Sequence, residues 1–137
     1  MSGEDDSKID QKINKEMLKD VGITGEDLSN VFDTFDKCRK TINFYFENAH
    51  GSGEERAEIV LLSSRSEKLY LKFIMLFCIM DDLTLEYRKK VLLNEKLSVK
   101  DQIVEFNKRY AEAKNDFNGL LEATQKFIDE TSKNAPF

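Results

Sequence analysis

The one histidine of this chain, His50, stands three residues after a glutamate in the run Glu47-Asn48-Ala49-His50. On a helix that spacing puts a carboxylate and an imidazole on the same face. Ferritin-like di-metal bundles use two such pairs, with two more glutamates from facing helices. A single histidine cannot make the second pair, so the motif reads instead as a helix C-terminal residue whose imidazole complements the dipole. No metal and no cofactor is expected.

The same shortage of histidine removes most catalysis. No Ser-His-Asp or Cys-His set can be assembled, no glycine-rich phosphate loop occurs, and Asp33 and Asp36 lack the spacing and the glycine of a calcium loop. The chain is therefore not expected to be an enzyme. Cys38 and Cys78 form no CxxC pair. Each falls among apolar neighbours and reads as a small core hydrophobe, and no disulfide between them is expected.

Binding is the remaining chemistry. The net charge is −5, which gives the chain as a whole no attraction to nucleic acid or anionic lipid. Residues 63–100 do carry eight basic side chains against five acidic ones. That bias centres on Arg88, Lys89 and Lys90, a basic patch whose plain reading is a solvated helix face. Apolar residues off the helical stripes are more telling. Phe44 lies outside the stripe of Tyr45 and Phe46, and Leu71, Met75 and Cys78 lie opposite Phe73 and Leu76. Other helices of the chain are expected to cover Leu71 and Cys78, whereas Phe44 is as well placed to meet a partner.

These residues need a scaffold, and the spacing of apolar side chains supplies one. Phe73 through Met80 is an unbroken apolar run, too short for a membrane span of ~20 residues. Around it, Ile59, Leu62, Ser66, Leu69, Phe73, Leu76, Met80 and Leu83 recur at alternating steps of three and four. That seam predicts one helix over residues 54–82, the central member of a bundle. Leu28, Val31, Phe35, Cys38, Ile42, Tyr45 and Ala49 predict a second over 24–48. Val99, Ile103, Phe106, Tyr110, Ala113, Phe117, Leu120, Thr124 and Phe127 predict a third over 99–132.

Capping boxes open these segments at Thr24/Asp27, Ser52/Glu55 and Ser98/Asp101, and another at Ser7/Asp10 opens a short helix bearing Ile9, Ile13, Met17 and Leu18. The turn at His50-Gly51-Ser52-Gly53 separates the second helix from the central one. Asp81-Asp82 breaks the pattern, and a weaker helix follows over residues 83–95. The fold class is thus all-α: an antiparallel up-and-down bundle of four helices, three of them long and heptad-patterned, plus the short N-terminal one. One domain spans residues 7–133, between a disordered tail over 1–6 and a tail over 134–137.

The functional expectation is a non-enzymatic protein–protein interaction module, an adaptor or scaffold that offers a helix face to a protein partner or to a second copy. Its anchors are Phe44 and Tyr45, with Leu120, Leu121, Phe127 and Ile128 at the far end of the last helix. A second reading is a bundle that holds a small apolar ligand or lipid between Phe73, Met75, Phe77 and Met80. Two unpaired cysteines suit a reducing compartment, the opening Met-Ser-Gly-Glu-Asp-Asp lacks the apolar core of a secretory signal, and no stretch spans a membrane. Cytoplasm or nucleus follows. The pattern is common to many unrelated bundles and does not itself carry function.

Overall fold

The computed structural model describes residues 3–48 and 53–133, the side chains of 3–6 and 133 apart. Every regular element among them is a helix: α1 (Gly3–Val21), α2 (Gly25–Glu47), α3 (Gly53–Leu93) and α4 (Lys100–Lys133). The four pack together along the apolar seams. None is long and apolar enough to cross a membrane. The turn at residues 49–52, the Ser52 cap and the tail over 134–137 lie outside the described residues.

Local chemistry sets the ends. Helix α1 stops at Gly22, whose φ of 92° closes the helix and whose N–H donates to the Leu18 carbonyl at 3.1 Å. An L-residue is strained there, so the glycine is required. At α2 the capping box forms as the sequence predicts. The Thr24 N–H donates to Asp27 Oδ2 at 2.9 Å and the Asp27 N–H to Thr24 Oγ1 at 3.2 Å. Helix α3 ends at Asn94, in the left-handed region at φ 54°, a conformation asparagine tolerates better than most residues. No such reciprocal pair joins Ser98 and Asp101; α4 starts instead on the bond from the Ile103 N–H to the Val99 carbonyl, 2.9 Å.

Two expectations about the elements are corrected. Helix α1 begins at Gly3, ahead of Ser7. More consequentially, Asp81-Asp82 breaks nothing: α3 runs 41 residues through it. Among the described residues there are therefore four helices, not four plus one. Both aspartates are exposed, while Met80, Leu83 and Tyr87 continue the seam at 3%, 0% and 0% exposure. A helix needs only its inward side chains to stay in phase, and two outward carboxylates do not disturb them.

The chain forms two compact units. The first comprises Met1–Asn30 and Ile74–Tyr110, and its core is mostly aliphatic, with Ile13, Met17, Leu28, Leu76 and Leu83 joined by Phe106 and Tyr87. Polar ties hold α1 to α3 there. Tyr87 donates to Asp20 at 2.8 Å, and Lys90 meets Glu16 at 3.2 Å. The second comprises Val31–Phe73 and Ala111–Phe137, and its core is aromatic. Phe35 stacks on Phe73 at 5.0 Å and meets Phe117 edge-on at 5.8 Å. Ser66 is fully buried on this unit's seam, and its hydroxyl has no hydrogen-bond partner among the described residues.

Candidate interaction surface

The expected anchors gather in the second unit, although not all of them face outward. Phe44, Tyr45 and Phe46 occupy the last turns of α2, which is fastened by Asn48: its N–H and its side-chain amide donate to the Phe44 carbonyl at 3.1 and 2.8 Å. Tyr45 is half-buried, with its ring edge-on to Phe127 of α4 at 5.5 Å. Phe44 in turn stands edge-on to Tyr45 at 5.6 Å and is 61% exposed. The three rings make a ladder from a buried base to a solvent-facing tip. Edge-to-face contacts of this kind fix ring orientation, so Phe44 is held and not loosely displayed.

The far end of α4 divides by phase. Leu120 and Phe127 are 1% and 5% exposed. They lie on the seam and fill the unit's own core. Leu121 and Ile128 are each one residue further on, about 100° around the helix. Together with Thr34, Lys37, Cys38 and Thr41 of α2 they line a shallow groove of about 250 Å³. Cys38 is buried there as expected, its thiol 3.7 Å from Thr124 Oγ1. Burial raises its pKa above the ordinary thiol value, an effect the Thr124 contact partly offsets.

Several sequence expectations change. Cys78 is exposed and not a core residue, and Leu71 is 66% exposed where a neighbouring helix was expected to cover it. Residues 71, 75 and 78 each lie two positions beyond a seam residue, about 200° around the helix, on a side that no helix covers among the described residues. The basic patch is largely paired: Arg88 lies 3.6 Å from Asp10, Lys89 3.3 Å from Glu86, and Lys90 meets Glu16. These pairs lower its attraction for a phosphate. Of the residues expected to surround an apolar ligand, Phe73 and Met80 are packed in cores, Phe77 is half-buried and Met75 is 47% exposed. Of the Glu47/His50 pair, His50 lies outside the described residues.

One feature escaped the sequence reading. In the second unit a groove of about 310 Å³ lies between α3 and α4, lined by Glu58, Leu61, Leu62, Arg65, Ala123, Lys126, Phe127 and Glu130. Leu61, on its α3 rim, is 64% exposed. Gly119 gives the clue: a Cβ there would lie 3.3 Å from Arg65 Nη2, so the glycine in α4 leaves room for an α3 side chain. Further along, Lys72 binds Asp116 and lies 3.4 Å from Glu112. Its hydrogen bond to Asp116 raises its pKa above the ordinary lysine value.

No protein-family model, no curated protein and no solved structure matches this chain.

Proposed function

We propose that this chain is a non-enzymatic protein–protein interaction module of the cytoplasm or nucleus, an antiparallel helical bundle that presents the end of α2 to a partner protein. Residue numbering in the second unit supports the antiparallel arrangement. Along α3 the numbers fall from Lys72 to Glu58 while those of the facing α4 residues rise from Glu112 to Glu130. Between α2 and α3, Phe32 meets Phe73 while Arg39 reaches Glu67.

The observation that carries the function is Phe44: a large aromatic ring, more than half exposed, oriented by Tyr45 and Phe127 beneath it. Rigid aromatic anchors of this sort dominate binding energy at protein interfaces. The groove lined by Leu121 and Ile128 adds apolar surface in the same unit.

The test is quantitative capture of partners by the purified chain, compared with Phe44→Ala and with Val104→Ala as an exposed control. Loss of about 2 kcal/mol of affinity for a bound protein on Phe44→Ala alone, with an unchanged melting curve, is the expected result. Equal capture by all three proteins would remove Phe44 as the anchor, and a destabilised Phe44→Ala would make it a core residue.

A further inference from the structure

The groove between α3 and α4 of the second unit carries a charge pattern that its own chain does not use. Along one face of α3 the sequence reads Glu54, Glu58, Leu61, Arg65, Lys68, at steps of four, three, four and three. Acid therefore occupies one half, base the other, and an exposed leucine the middle. Across the groove, α4 carries Lys126 and Glu130. Among the described residues none of these six charges makes an ion pair, whereas Lys72, one turn further along the same face, is paired twice. Glu58 and Arg65 are seven residues apart, about 10.5 Å along the axis, too far to meet each other. Lys126 and Glu130 stand in the lysine-first order, the weaker one for a helical pair.

This pattern is self-complementary on reversal. We propose that the α3–α4 groove seats a second copy of this chain, packed face to face about a two-fold axis that crosses both helices at the level of Leu61. Such an axis lays α3 antiparallel on its counterpart. Glu58 then faces the partner copy's arginine and Arg65 its glutamate, with Glu54 and Lys68 matched one turn further out. On α4 the same reversal carries Glu130, which is level with Glu58, towards the partner copy's basic rim, while Lys126 stays close to the axis. Each pairing occurs twice, as an isologous contact requires. The Leu61 side chains enter the facing grooves and lose their solvent exposure against Phe127. A parallel arrangement would oppose acid to acid and base to base, so charge alone selects the reversed orientation. The surface shares only the Phe127 ring with the base of the Phe44 ladder, and Phe44 itself lies outside it.

Sedimentation equilibrium of the full chain in low salt tests this, with Glu58→Arg, Arg65→Glu and the doubly reversed protein beside it. The wild-type chain should form a dimer, and each single reversal should weaken it at least ~10-fold by setting like charges together. The double reversal, which restores opposite charges at both contacts, should return affinity to within ~3-fold. Leu61→Ser should abolish the dimer without altering the circular dichroism spectrum, a readout that stands if a reversal variant folds poorly. A wild-type chain that stays monomeric overturns the proposal, as does a dimer indifferent to the single reversals or one that the double reversal fails to restore. Phe44→Ala should leave the dimer intact, so failure of partner capture and failure of self-association are told apart.

Discussion

The two units solve the same packing problem with different side chains. The first fills its core mainly with aliphatic groups and fastens α1 to α3 by polar contacts, Tyr87 to Asp20 at 2.8 Å and Lys90 to Glu16 at 3.2 Å. The second interlocks rings: Phe32, Phe35, Phe73 and Phe117 meet at centroid distances of 5.0 to 5.9 Å. Arg39 lies over the Tyr70 ring, 4.3 Å from its centroid. Rings bury more area per residue than aliphatic groups and prefer definite angles. With Phe35 and Phe73 filling the centre, the second unit closes around them while Phe44 and Leu61 remain at the surface. Its seam also accepts small polar residues, Cys38, Ser66 and Thr124.

The contrast can be broken by substitution, and the largest effect belongs to the rings. Phe35→Ala, at a fully buried position touching three other rings, should cost about 3–5 kcal/mol by urea unfolding. Hydrogen exchange should accelerate first in residues 31–73 and 111–133; uniform acceleration through both units would show that the cores are not distinct. A smaller effect is expected from the polar tie of the first unit. Tyr87→Phe removes one hydrogen bond to an exposed carboxylate and should cost about 1 kcal/mol at neutral pH.

Alkaline titration sharpens that test. Burial first, then the hydrogen bond to Asp20, raises the Tyr87 pKa well above the ordinary phenol value. Above about pH 10 the unfolded chain loses the phenolic proton while the folded one keeps it, so stability is intact below that pH and falls as pH rises beyond it. In Tyr87→Phe this part of the loss should vanish. A weaker slope should remain from Tyr110, which is raised by burial and by Asp27. Identical alkaline curves for the two proteins would mean that Tyr87 is not the group responsible.

The mildest probe leaves the fold untouched. Alkylation by iodoacetamide should modify exposed Cys78 of the first unit at once. Cys38 of the second should react more than ~100-fold slower, because its thiol is buried and its pKa raised. Equal rates would contradict the sheltered seam of the ring-packed unit.

Much of the scaffold was legible in the chain because helical periodicity is a short-range property. The run through Ser66 kept its phase, and Ser66 is fully buried. Thr24 and Asp27 exchange the two hydrogen bonds that their spacing implies. Tyr87 was harder to place, since exposed Leu85, Leu92 and Leu93 obscured the period that Leu83 and Tyr87 continue. The surface was only partly legible. Phe44 stood out as an aromatic residue off its stripe, whereas the groove beside Leu61 required knowing that Lys126 and Phe127 come alongside α3.

By itself, then, the sequence determined that these segments are helices, which residues form each inward seam, and where α2 is capped, because each depends on neighbours within a few positions. Only the tertiary structure decided that Leu121 and Ile128 line a groove, and that Leu71 and Cys78 stay uncovered. It alone paired Arg88 and Lys90 with acids on α1. The reason is geometric: three-and-four spacing sets the angle at which a side chain leaves its helix, but whether that sector meets water or another helix depends on residues far away in the chain.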